Sequence, residues 1–206
     1  MIPLFTKPNS SWIHLMARVT IRPLIGTSVT PNHLTTARLV IGVLACFGFM
    51  VNSPIWSLWS GILWLISCFL DYADGELARL SGLSSASGHT YDYFCDVFVN
   101  SFLFVAVGIN LTDSPMGNWS ILLGLIAGIS IAIASVFSEW LEEESDNSTK
   151  AYSGIFGFDF DTLLFLVAPA AWMGLFSYIL IGAAIAGPFF AILTGFRILK
   201  QRPRSS

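Results

Sequence analysis

Residues 71–96 read DYADGELARLSGLSSASGHTYDYFCD, and they separate two apolar runs, ILWLISCFL at 62–70 and VFVNSFLFVAVGI at 97–109. Both runs have the character of membrane helices, and the stretch between them is where hydrophobicity fails most sharply. Asp71 and Asp74 stand three residues apart, Asp92 and Asp96 four apart, so each pair lies on one face of its helix. A short loop joins the two helices, which predicts antiparallel neighbours whose Asp-bearing ends meet on one side of the bilayer.

Working outward, the whole chain has the composition of a membrane protein. It has 206 residues, 54% hydrophobic and 11% charged, with a mean hydropathy of +0.71. Soluble domains carry roughly 25% charge, and a soluble core of this length could not hide so much apolar surface. An ordinary soluble domain, a disordered chain and a nucleic-acid binder are all excluded. The expected fold is an all-α integral membrane protein of a single 1–206 domain. Six spans are expected, at about 34–51, 56–80, 90–109, 119–141, 161–176 and 178–199, with kinks at Pro169 and Pro188. An amphipathic helix over 9–25 precedes them. It is too short and too charged to span, and it carries Trp12, Leu15, Met16 and Val19 on one stripe, with Arg18 turned toward anionic lipid. Thr30 or Asn32 is expected to cap the next helix. No apolar run follows Lys7 as in a cleavable signal.

The 13 acids all lie at or beyond Asp71, whereas Lys7, Arg18, Arg22 and Arg38 occupy the first seventy residues without a single acid. Arg197, Lys200, Arg202 and Arg204 close the chain. Both termini are therefore expected in the cytoplasm, which requires an even number of spans. The loops assigned to the far side hold no Lys or Arg, and those on the near side hold Arg79 and Lys150. Cys46, Cys68 and Cys95 lie in apolar stretches, with no spacing that suggests a disulfide framework. The seven Trp read as interface anchors and packing.

Four carboxylates converging at one bilayer face repel unless they are neutralised, and intramembrane acids are costly enough to mark function. Arg79 reads as the only base among them. A divalent cation, or two, resolves the repulsion, and all-oxygen ligation suits Mg²⁺ or Mn²⁺ better than zinc. Gly75, Ala78 and Gly82 continue the Asp71 stripe, and Gly88 precedes Asp92 by one turn, small residues that let a ligand or backbone approach. Arg79 can bind a phosphate or pair structurally with a nearby acid.

The string Asp71-x2-Asp74-Gly75-x2-Ala78-Arg79-x8-Gly88-x3-Asp92-x3-Asp96 resembles, at all eight fixed positions, the signature of the CDP-alcohol phosphotransferase (CDP-alcohol phosphatidyltransferase) family. TPNHLT at 30–35 is similar to that family's approach to its first membrane helix. The resemblance implies that the phosphatidyl group of a CDP-alcohol, CDP-diacylglycerol foremost, is transferred to a small alcohol with release of CMP, in phospholipid biosynthesis. It also implies Asp71, Asp74, Asp92 and Asp96 as ligands of two Mg²⁺ or Mn²⁺ ions, with Asp96 as general base. Asp71, Asp74, Gly75, Ala78, Arg79 and Gly88 would then contact the CDP portion, and a homodimer is implied as well. The expected location is the plasma (inner) membrane of a prokaryote, with the active site facing the cytoplasm.

In relatives with a phosphorylated acceptor, helices four and five tend to supply basic residues near the site. Here that region offers Glu139, Glu142, Glu143, Glu144, Asp146, Asp159 and Asp161 against Lys150. Asp159 and Asp161, just before the fifth span, are the candidate acceptor contacts, and a neutral or cationic alcohol is expected on charge grounds. His14, His33 and His89 read as interfacial or loop residues, though His89 adjoins the motif. Three alternatives stand: transfer of a phospho-head-group from a soluble CDP-alcohol to a lipid acceptor, a catalytically dead relative, and a cation transporter or channel. The last calls for acids spread through several spans near the bilayer middle, and here they cluster at one face.

Overall fold

A computed structural model describes residues 12–144 and 163–201, and its elements are helices. They are α1 (Trp12–Ile21), α2 (Pro31–Phe49), α3 (Pro54–Ser81), α4 (Ala86–Asn110), α5 (Trp119–Glu144), α6 (Val167–Trp172) and α7 (Phe176–Gln201). Five of these, α2 to α5 and α7, are long and apolar enough to cross a membrane.

The caps follow local chemistry. Thr30 is the N-cap of α2 with Pro31 at the first helical position, and its N–H donates to His33 Nδ1 at 3.2 Å. Ser85 caps α4 by accepting from Gly88 N–H at 3.1 Å. Gly82 ends α3 in the left-handed conformation (φ 70°), which costs glycine nothing.

The expected span at 161–176 is described from Leu163 onward, and there it is not one continuous helix. The chain turns at Phe165–Leu166 and resumes as the six-residue α6. Pro169 explains the break: it has no N–H for the Phe165 carbonyl, and its ring crowds that carbonyl, so a helix restarts with Pro169 inside its first turn. Pro188, by contrast, lies within α7, which continues through it.

The packing is apolar outside and partly polar inside. Val40, Leu44 and Phe47 of α2, Phe94 and Phe98 of α4, and Ile185, Phe189 and Phe196 of α7 are exposed. Thr35, Arg38, Ser60, Ser67, Asp74, Glu76 and Asn100 are buried. That distribution suits a bundle whose solvent is lipid. The main core joins Phe49 of α2, Trp64 of α3, Val99, Leu103 and Val107 of α4, Ala127 of α5 and Leu180 of α7. Cys46, Cys68 and Cys95 are buried free thiols.

One sequence expectation is corrected here. α3 and α4 are not side-by-side neighbours, because α2 packs against both of them. A Cβ on Gly42 would stand 2.8 Å from both Ser67 Oγ of α3 and Val99 Cγ1 of α4. Glycine at that point of α2 is what lets the α2 backbone seat against the side chains of Ser67 and Val99 at once. Further along, Asn110 Nδ2 of α4 donates to the Phe49 carbonyl at 2.9 Å. The loop-length rule joins α3 to α4 in sequence, but the small-residue seam on α2 decides what fills the space between them.

α1 buries Ile13, Ala17 and Ile21 and leaves Met16 and Val19 exposed. Ile21 packs with Ala73 and Leu77 of α3. Arg18 does not point to lipid as expected; its Nε donates to Glu76 Oε2 of α3 at 2.7 Å.

Candidate active site

The last turns of α3 and the first turns of α4 carry the acids, and α2 presents its N-terminal half to both. One carboxylate oxygen from each of Asp71, Asp74 and Asp92 lies within 4.8 Å of the others. Asp74 is 3% exposed, and its Oδ2 accepts from Thr35 Oγ1 of α2 at 2.8 Å. Thr35 belongs to the TPNHLT stretch, so that stretch reaches the acids directly as well as starting a helix.

Arg38, one turn further along α2, enters the same cluster. Its Nη1 lies 3.5 Å from Asp71 Oδ1 and 3.8 Å from Asp92 Oδ1, and it pairs with Asp96 Oδ1. The Arg38 side chain is 4% exposed. Arg79 is therefore not the only base among the acids. A sequence signal for Arg38 did exist: it is the only charged residue in the first span, and a charge inside a span marks function by default. It is easily counted instead with the N-terminal positive charges.

Arg79 stands apart from this cluster. Its Nη1 pairs with Glu76 Oε1, and Glu76 is 1% exposed. Arg18 Nε and His14 Nδ1 of α1 reach the same carboxylate, the latter at 2.9 Å. His14 is also edge-on to Tyr72, with ring centroids 5.0 Å apart. Glu76 was not singled out from the sequence, because the motif treats its position as variable; an acid three residues before Arg79 was the available signal. Gly75 lies beside Arg79, since a Cβ there would meet Arg79 Nη2 at 3.6 Å. Gly88 packs against the Ser85 cap and Asn32 Oδ1 of α2. His89 Nδ1 lies 3.5 Å from Glu139 Oε1 of α5. Asp159, Asp161 and the acids of 142–146 have no described side chains.

The donor set fits a hard divalent cation. It is all oxygen, it draws on two helices, and its four carboxylates outnumber the single guanidinium of Arg38.

Residues 28–192 match the family described as CDP-alcohol phosphatidyltransferase. The chain is similar to a bifunctional IPC transferase and DIPP synthase of Thermococcus kodakarensis, 27% identical over 124 residues, 59% of this chain and 28% of that one. It is similar to cholinephosphotransferase 1 of Danio rerio, 34% identical over 110 residues, 50% of this chain and 29% of that one. An archaetidylinositol phosphate synthase of Pyrococcus horikoshii is 30% identical over 88 residues, 43% of this chain and 45% of that one. The chain spans less than half the length of each of these relatives.

Proposed function

The chain belongs to the CDP-alcohol phosphatidyltransferase family, and on that premise we propose that it is an integral membrane transferase of phospholipid biosynthesis. It moves a phosphatidyl group from a CDP-linked lipid, CDP-diacylglycerol, to the hydroxyl of a small alcohol and releases CMP. The observation that supports this reading is the gathering of Asp71, Asp74 and Asp92 within 4.8 Å, with Asp96 one turn on along α4.

These four residues would hold the Mg²⁺ or Mn²⁺ ions, two of them on the family's pattern, and such ions neutralise a diphosphate and stabilise CMP as leaving group. The protein groups do the remainder. As the acceptor oxygen bonds to the lipid-bearing phosphorus, the bond from that phosphorus to the CMP oxygen breaks, and Asp96 takes the hydroxyl proton. Gly75, Ala78 and Gly88 leave room for the CDP portion. Arg79 is 60% exposed at its side chain, so the guanidinium nitrogens beyond the Nη1 that pairs with Glu76 are open to a phosphate.

For the acceptor, charge still favours a neutral or cationic alcohol, with Asp159 and Asp161 as its contacts. The names of the relatives divide between choline phosphate transfer and archaetidylinositol phosphate synthesis. Similarity to the former keeps a second reading, a phospho-head-group moved from a soluble CDP-alcohol to a lipid. Pairing as a homodimer and residence in a prokaryotic plasma membrane complete the proposal.

The test is CMP release in membranes, measured with CDP-diacylglycerol, CDP-choline and CDP-ethanolamine against a panel of alcohols and lipids. We expect turnover of CDP-diacylglycerol with a polyol or amino alcohol, dependent on Mg²⁺ or Mn²⁺ and lost in EDTA. Full turnover after metal stripping would remove the metal from the proposal. Release from the soluble donors alone would establish the second reading. Efficient use of phosphorylated alcohols only would overturn the acceptor assignment.

A further inference from the structure

We propose, resting on the donor reading above, that Arg18 of α1 is a positioning residue of the donor site. By occupying Glu76 Oε2, it confines Arg79 to a one-point pair with Glu76 and leaves the far edge of the Arg79 guanidinium to a phosphate of the CDP portion.

Glu76 is 1% exposed, and both of its oxygens are taken. Oε2 accepts from Arg18 Nε at 2.7 Å. Oε1 meets His14 Nδ1 at 2.9 Å and pairs with Arg79 Nη1. An arginine beside a carboxylate favours two parallel N–H···O bonds, one to each oxygen. Arg79 makes one, because the second oxygen belongs to Arg18. Its Nη2 and Nε are left over. Among the described residues these donors have no partner, and the side chain is 60% exposed.

The open edge lies toward the acids. A Cβ on Gly75 would meet Arg79 Nη2 at 3.6 Å. Gly75 is four residues from both Asp71 and Arg79, so the three share one stripe of α3. Glu76 lies on the other side of Arg79 from that stripe. Were Oε2 vacated, Nη2 would turn to it, and the carboxylate that holds Arg79 would withdraw it from the stripe. Two guanidiniums on one carboxylate also leave the group positively charged, which favours an anion. The fold arranges this by seating Ile21 on Ala73 and Leu77, which lays α1 along α3 with Arg18 and His14 at Glu76.

The experiment measures CDP binding to the purified full chain in nanodiscs, with Mg²⁺ present, by isothermal titration calorimetry. Arg79→Met should weaken CDP by about tenfold. Arg18→Met should weaken it by about fivefold, and Arg18→Lys, whose ammonium can hold Oε2, should recover most of that loss. The double variant should bind within about twofold of Arg79→Met alone, because Arg18 acts through Arg79. A loss from Arg18→Met that is the same with and without Arg79 would show α1 acting elsewhere and overturn the proposal. So would wild-type affinity in Arg18→Met, or a loss that Arg18→Lys does not recover. If Arg18→Met does not purify as a folded protein, Arg18→Gln takes its place with the same expected loss, since a neutral amide competes poorly with a guanidinium for the carboxylate. Unchanged affinity in Arg79→Met would remove Arg79 from the donor site and this proposal with it, and no CDP binding by wild type would sink the donor reading itself. A loss in Arg79→Met beside none in Arg18→Met would sink this proposal alone.

Discussion

Asp74 is the most buried of the four acids, and its carboxylate has a hydroxyl donor, Thr35, supplied by another helix. Outer groups that orient a ligand are worth about 10–100-fold in metal affinity. Thr35→Val, which keeps the shape and removes the donor, should weaken Mn²⁺ binding by about tenfold, while Thr35→Ser should restore it; a Mn²⁺ titration reads both. Asp96 carries a different prediction. Asp96→Asn removes a base while leaving Asp71, Asp74 and Asp92 in place, so turnover should vanish while part of the CDP-donor affinity survives. Wild-type turnover in that variant would show that Asp96 is not the base. The acids were legible because a bilayer makes carboxylates costly, so four of them at helical spacing beside apolar runs point to a bound cation. The lone charge of Arg38 in the first span marked the residue, but its pairing was not legible, because its partners come from α3 and α4, distant in sequence.

At the scale of elements, α1 is fastened to α3 in two ways. Ile21 packs on Ala73 and Leu77, and Glu76 gathers His14, Arg18 and Arg79. Glu76→Ala would leave Arg18, only 22% exposed at its side chain, without its partner. Breaking a buried pair from one side costs about 3 kcal/mol. We expect α1 to loosen, read as faster amide exchange across residues 13–21 with little change in α5. Equal protection of α1 in the variant would show that the apolar contact alone docks it. The long helices were readable from hydropathy and length. The break before α6 comes from Pro169, whose presence suggested a kink, while a restart needed the particular geometry of its first turn. The placement of α2 against both α3 and α4 depends on Gly42 meeting Ser67 and Val99 at once, a three-body fit that no single segment encodes.

Across the whole molecule, the acids sit at one end of α4 and the Leu111–Gly117 turn at the other. The twenty residues of chain from Asp92 to Leu111 make about 30 Å of helix at 1.5 Å per residue, the thickness of a hydrocarbon core. If the site faces the cytoplasm, that turn faces outward. A cysteine at Ser114 should therefore react with an impermeant maleimide from outside, while tags at both termini report the cytoplasm. An external C-terminus would break the even-span topology. The proposed acceptor assignment makes a prediction at this scale: charge reversal at Asp159 or Asp161 should shift the acceptor KM and leave the donor KM nearly unchanged. An unchanged acceptor KM would separate these residues from the site.

Hydropathy and residue spacing were sufficient to place the chain in a bilayer, bound most of its helices and single out the eight motif positions, because each of these is a local property: a run long enough to span, a carboxylate one turn from the next. Tertiary structure alone decided that α2 stands against both α3 and α4, that Arg38 and Thr35 join the acids, and that Arg79 leans on Glu76 beside α1. The physical reason is common to all three. Inside a bilayer, where exposed surfaces are uniformly apolar, helices choose neighbours by the close fit of small residues and by the pairing of buried charges. Both depend on partners that meet only after the chain has folded.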